Sequence, residues 1–153
     1  MTVEDLILYH PNGWPIAAVD LRTKMGTTPE WAAKLRRNLL GHGGSVPARY
    51  FLVIPPDRLY LWDGSGTEPA ELPPTHVVDA SALFRPYFDA ANLDPEAIRG
   101  TAFELVVDTW LAELTRADSA AIEQGAVPAS EELLRSGFVE AIRNARLEYP
   151  AAA

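Results

Sequence analysis

The 153-residue sequence contains no cysteine. That absence excludes disulfide frameworks, thiolate metal sites and cysteine nucleophiles together, and it fits a cytoplasmic protein. No apolar run approaches the ~20 residues that span a bilayer, so no membrane partner is expected. The amino terminus opens on Glu4 and Asp5, where a secretory leader carries a basic segment and then an apolar one, and no leader is read there. Basic residues are few: 13 Lys and Arg stand against 21 Asp and Glu, and the net charge of −8 at face value disfavours a polyanionic partner. Histidine is scarce as well. His10, His42 and His76 lack the i,i+4 spacing of a helical metal pair and read as surface or turn residues. Ser65-Gly66 and Ser136-Gly137 lack the Gly-x-Ser-x-Gly setting of a serine nucleophile. Gly41-His42-Gly43-Gly44 follows a helix and lacks the Lys-Ser/Thr ending of a phosphate loop.

What the chain does have is 48% hydrophobic residues, enough at this length to bury the core of one domain without staples. Its charge is unevenly spread. Residues 1–58 hold seven basic and five acidic groups, a net of +2, and the remainder holds six and sixteen, a net of −10. Nucleic acid therefore stays open as a partner for the N-terminal half, beside the plainer reading of an acidic solvated surface with scattered arginines.

The apolar pattern predicts the order β-β-α-β-β followed by helices. LILYHPNGWPIAAVDLR reads as a hairpin turning on Asn12-Gly13. Thr27 and Glu30 have capping-box spacing ahead of a helix over 29–40, whose Trp31, Leu35, Leu39 and Leu40 form its inward stripe. Residues 50–54 and 58–62 read as neighbouring strands around a Pro55-Pro56 turn. A short helix over 80–90 is interrupted near Pro86. Helices over 101–116, capped by Thr101, and 131–145, capped by Ser130, complete the chain. The expected fold class is α/β (α+β), with a small mixed sheet: residues 1–63 as the sheet-and-helix core, 64–79 as a linker or loop, and 80–153 as an acidic helical part. That last part either packs on the core within one domain or forms a semi-detached cap. Trp14, at the hairpin tip, is the one tryptophan of the four expected outside the core, as a contact for a protein partner or a second copy.

The hairpin register places two carboxylates face to face. With Asn12-Gly13 in a two-residue loop, Leu6 faces Val19, Ile7 faces Ala18 and Asp5 faces Asp20. Directly opposite Cβ atoms lie roughly 4.5–5.5 Å apart, so two like charges there repel. A divalent cation such as Mg²⁺ or Mn²⁺ between them reverses that sign, because hard cations take carboxylate oxygens together with water and phosphate oxygens. Arg22 and Lys24 follow Asp20 at period two, on the same face. The alternative is local: Asp5 frays near the start of the chain, and Asp20 pairs with Arg22 or Lys24 at a solvent-exposed strand end. On the 29–40 helix, Lys34, Arg36 and Arg37 are candidates for contacting a phosphate backbone, with a solvated helix face as the plain alternative.

An acidic residue on one strand, then 14 intervening residues, then Asp20-Leu21-Arg22 before a helix and a strand resembles the PD-(D/E)XK (restriction-endonuclease-like) nuclease superfamily. VDLRTKMGTTPEWAAKLRRNLLGHG, YFLVIPPDRLYLWDG, FELVVDTWLAEL and LLRSGFVEAIRNARLEYP also resemble a group of small, mostly uncharacterised bacterial proteins in which the first segment carries an intact Glu-x-Lys. The resemblance implies that Asp5 and Asp20 are metal ligands in a metal-dependent phosphodiesterase, with Arg22 at the lysine position. Glu4 stands where the motif has proline, and the chain opens at the hairpin, where the family has a further helix and strand. Arg22 is the departure that matters. Lysine orients or helps deprotonate the attacking water; arginine stays protonated and is no base, though it still faces phosphate oxygens well. The expectation is therefore a degenerate nuclease-like domain that acts as a protein-interaction or scaffolding component of a bacterial nucleic-acid-related system, in defence or a mobile element. The alternative is an active Mg²⁺- or Mn²⁺-dependent nuclease of DNA or RNA.

Overall fold

The apolar runs become strands and the 3.6-periodic segments become helices. The computed structural model describes residues 5–43 and 46–150, so Glu4 and Gly44 lie outside the described residues. Strands β1 (Leu6–Tyr9) and β2 (Pro15–Leu21), helix α1 (Pro29–Gly41), and strands β3 (Tyr50–Ile54) and β4 (Arg58–Asp63) follow in the expected order. Helix α1 begins one residue later than Thr27 would set it. Pro29 fits the first helical position, which makes Thr28 the cap, and the Thr28 hydroxyl accepts from the Trp31 amide at 3.1 Å. The freed Thr27 hydroxyl bonds to the Tyr60 hydroxyl at 2.8 Å.

The later part holds more elements than its sequence pattern predicts. The 64–79 segment is not all loop: it contains strand β5 (His76–Asp79), antiparallel to β4. Helix α2 (Ser81–Ala90) runs straight through Pro86, whose missing amide falls on the exposed side of the helix. Helix α3 (Gly100–Arg116) starts at Arg99 with no side-chain cap, so Thr101 lies inside its first turn. The expected 131–145 helix is two short ones, α5 (Glu131–Arg135), capped by Ser130, and α6 (Phe138–Ala141), and edge strand β6 (Arg146–Glu148) follows them. A short helix α4 (Ser119–Glu123) precedes them.

The six strands form one mixed sheet in the order β5-β4-β3-β2-β1-β6, and this is an α+β fold. Only β2 and β3 are parallel, joined by α1; every other neighbouring pair is antiparallel. Strand alternation sends Leu6, Leu8, Ala17, Val19, Tyr50 and Leu52 to one face, where they share a core with Phe84, Phe103, Trp110 and Phe138 of the C-terminal helices. Ala18, Phe51, Val53, Tyr60 and Trp62 point to the other face, beneath α1. The acidic helical half thus packs directly on the sheet.

The break between α5 and α6 sits against the sheet. Gly137 adopts φ +81°, and a Cβ built there would lie 3.2 Å from the Tyr50 hydroxyl oxygen. That hydroxyl donates to the Ser136 carbonyl. Gly125 has a similar φ of +76° with nothing within 4 Å. Gly137→Ala therefore combines left-handed strain with a tight contact to which the buried Tyr50 must yield by a few tenths of an ångström, whereas Gly125→Ala carries the strain alone, about 1 kcal/mol. Urea unfolding should show the Gly137 variant to be less stable than the Gly125 variant by about 1 kcal/mol or more; equal losses would remove the Tyr50 contact from the account.

Candidate functional site

The hairpin reaches the expected register by an unexpected route. Its loop has three residues, Pro11 to Gly13, closed by Gly13 N–H to the His10 carbonyl (2.7 Å) and His10 N–H to the Trp14 carbonyl (2.8 Å). Gly13 takes φ +100°, which favours glycine. The longer loop shifts the pairing so that Tyr9 faces Pro15, and an irregularity then returns it: Leu8 faces Ala17, Ile7 faces Ala18 and Leu6 faces Val19. Ile16 is the extra residue, so the bulge cancels the loop. Trp14 is 52% exposed and stacks on the His10 ring at 4.0 Å, as an exposed hairpin-tip indole.

Asp5 and Asp20 come together at the end of the hairpin remote from that loop. The Asp5 amide donates to the Val19 carbonyl at 2.9 Å, and the Asp5 carboxylate accepts the Leu21 amide at 2.8 Å, so Asp5 brackets Asp20. Asp20 belongs to the α1-facing row with Ala18 and is 2% exposed. Arg22 grips it in a fork, Nε to Oδ2 at 2.7 Å and Nη2 to Oδ1 at 3.4 Å. Burial pushes the Asp20 carboxyl up to about 6; the bond and charge of Arg22 oppose the rise, and the neighbouring Asp5 carboxylate adds to it.

A divalent cation would have to share oxygens that are already engaged. One Asp5 oxygen holds a backbone amide, both Asp20 oxygens face the guanidinium, and that fixed positive charge occupies the approach a metal would need. Among the described residues no cluster of three or more His, Asp or Glu side chains is placed to hold a metal. As placed, this set does not fit Mg²⁺ or Mn²⁺. Asp20 does pair locally with Arg22, but the expected solvent-exposed strand end is corrected: Asp20 is buried, and Asp5 is bonded on both sides of it.

The remaining candidates separate. Strand β2 ends at Leu21, so period two does not carry as far as Lys24, whose ammonium lies 5.9 Å from the centre of the Trp31 ring and away from the carboxylates. Arg36 is a correction: it is fully buried and is no phosphate contact. Its guanidinium donates to the carbonyls of Ala70 (3.2 Å), Ser65 (3.4 Å) and Gly66 (3.1 Å) and lies over the paired Phe51 and Trp62 rings. Trp62 Nε1 donates to the Leu72 carbonyl at 3.0 Å, and together the two side chains pin the 64–74 segment to the sheet. Arg37 is exposed and pairs with Glu71 of that segment at 3.1 Å, and Lys34 is exposed on the same helix. The basic trio is thus divided among three surroundings. Arg36's carbonyl partners lie about 30 residues away in sequence, and no local pattern marks them.

No protein-family model, no curated protein and no solved structure matches this chain.

Two predictions follow from the placement of these charges. Arg36→Met removes three charge-assisted bonds and should lower the unfolding free energy by about 2–4 kcal/mol and expose 64–74 to protease, while Lys34→Ala stays within about 0.5 kcal/mol. Unchanged stability in Arg36→Met would refute the anchoring role. The second concerns Asp20. Because its carboxyl is raised from 3.8 to about 6, the folded state holds that proton more tightly than the unfolded chain does. Its contribution is therefore greatest below pH 3.8 and is lost as pH rises through about 6. Asp20→Asn keeps an acceptor for Arg22 and removes the buried charge. In urea melts it should gain stability over the parent at pH ~7.5, by at most about 3 kcal/mol, with the gain vanishing near pH ~3.5. A loss at neutral pH would mean that the ion pair outweighs burial.

Proposed function

We propose that the protein is a degenerate PD-(D/E)XK-nuclease-like domain that works as a non-catalytic protein-interaction module. The observation that carries this reading is the Asp20–Arg22 fork: the acidic position of the motif is neutralised from within by the residue at the lysine position. A guanidinium keeps its proton, so it neither accepts one from water nor vacates the carboxylate for a metal at neutral pH. The element order supports the nuclease-like part: a hairpin bearing both acidic residues, a helix, and a strand parallel to the second hairpin strand. Asp20 and Arg22 sit at the carboxyl end of that strand, the end at which α/β sheets place their ligands. A hydrophobic framework kept intact around a closed acidic pair supports binding over turnover, and the exposed Trp14 is one surface on which a protein partner would act.

Calorimetry with MnCl₂ and MgCl₂ at millimolar concentration tests this, alongside incubation with plasmid DNA and single-stranded RNA. The expected result is no saturable heat and no cleavage. Metal binding accompanied by cleavage, both lost in Asp20→Asn, would instead establish the active phosphodiesterase. Arg22→Lys should gain metal binding, because a lysine reaches one carboxylate oxygen and leaves the other; no gain would overturn the assignment of Arg22 to the motif's lysine position.

A further inference from the structure

The sheet ends differently at its two edges. Strand β5 is covered: helix α5 packs against it, and His76 at its start is paired with Glu132 of α5. Strand β6 bonds to β1 alone, and among the described residues its other edge receives no hydrogen bond from any element. Backbone amides and carbonyls left at an open edge pair readily with another strand. Beside this edge, on the face of the larger core, lies a groove of about 410 Å³. Ala145 and Leu147 line it on the strand side, and Ala112, Thr115 and Arg116 line it on α3. Leu147 is only half-buried against that core, so a strand added here finds both room and apolar surface for an inward side chain.

The other face of β6 specifies what that strand is. Arg146 and Glu148 project from the face opposite Leu147 and are both exposed. Arg146 Nη2 lies 3.0 Å from Glu148 Oε2, and the guanidinium rests over the Tyr9 ring, 5.2 Å from its centre. Side chains alternate between faces, so two copies of β6 related by a two-fold axis through the sheet must face each other about a single residue. Centred on Arg146 or on Glu148, that pairing sets like charges directly opposite each other, which destabilises it. Centred on Leu147, it sets Arg146 of each copy opposite Glu148 of the other and extends the existing ion pair into a row of alternating sign. Leu147 then meets its own counterpart on the core face. Pro150 has no amide to donate and limits the ladder to this short stretch. The strand is complementary to itself in one register, and nothing comparable specifies a strand of unrelated sequence.

We propose that two copies of this chain join their sheets through β6, antiparallel and centred on Leu147. This goes beyond the interaction-module reading and does not depend on the acidic pair. Sedimentation of the full chain tests it at about 150 mM salt, which screens the −8 charge of each copy beyond about 8 Å. The contact is smaller than a standard interface, so a dimer with a dissociation constant of about 10–100 µM is expected. Glu148→Arg sets arginine opposite arginine on both sides of Leu147 and should weaken the dimer at least about tenfold. Arg146→Glu combined with Glu148→Arg exchanges the two charges and keeps the register complementary. That double variant should associate within about threefold of the parent. Both positions are exposed, so the fold is spared, and thermal melts verify this. In hydrogen exchange, residues 146–149 should gain protection as the concentration rises through the dissociation constant, and residues 76–79 should not.

A chain that stays monomeric at about 500 µM would overturn the proposal. A dimer that Glu148→Arg leaves intact would overturn it too, because the contact then lies elsewhere. So would a folded double variant that fails to regain association, since the register is what the charges define. Metal titration and cleavage assays read the acidic pair alone. Cleavage lost in Asp20→Asn therefore sinks the non-catalytic reading whatever the sedimentation shows, and a monomeric chain that takes no metal sinks the β6 contact alone.

Discussion

The structure depends on one pairing, the parallel contact of β2 with β3. Two neighbouring strands can run the same way only if the chain crosses back between them, and α1 is that crossing. Once it lies over one face, the strands beneath it must be apolar on both sides, and β3 is buried at all five residues. The other face then needs its own cover, which the C-terminal helices supply through a shared core. The parallel pair also brings the carboxyl ends of β2 and β3 together, and β1, antiparallel to β2, delivers the residue just before its start there. Asp5, Asp20 and Arg22 meet because of that topology.

The electrostatics at that end have a definite sign. Asp20 is desolvated, and its partner Arg22 is 40% exposed, so the pair gains less from attraction than Asp20 loses by leaving water. The net result is a carboxyl whose proton is held more tightly than in solution. A purely structural strand end would carry a neutral residue at this position. Asp20 therefore carries its proton more readily than a solvent-exposed aspartate, and Arg22, one residue beyond the end of β2, is the charge that opposes this.

Hydrophobic period carried most of the fold into view, and the failures have physical causes. The central strands and α1 were legible because each buries a long apolar run. The register of the carboxylates was also legible, although through two errors that cancel, since the three-residue loop and the bulge at Ile16 restore the offset a two-residue loop would have given. Edge strands β5 and β6 were not legible, because four and three residues with one inward side chain leave no period to read. The inward face of α1 is turned from the expected stripe: Ala32, Ala33, Arg36 and Leu40 are buried, and Trp31, Leu35 and Leu39 lie at the flank. Pattern reading counts arginine as polar and therefore outward. Arg36 turns inward because distant backbone carbonyls and two aromatic rings receive its guanidinium, and only the assembled fold brings them there.

The two faces of the sheet separate the acidic pair from the C-terminal helices. Asp20 and its arginine lie on the side of α1, whereas α2 and α3 lie on the side of the larger core. Substitutions at the acidic pair therefore reach α2 and α3 only through the whole sheet, and the reverse holds as well. The charge asymmetry of the chain follows the same division. The near-neutral half supplies β1, β2, α1, β3 and the acidic pair, and the excess negative charge belongs to the half that holds the C-terminal helices. Nothing in the packing of α2 against α3 involves Asp20, so the state of the acidic pair and that packing are set independently.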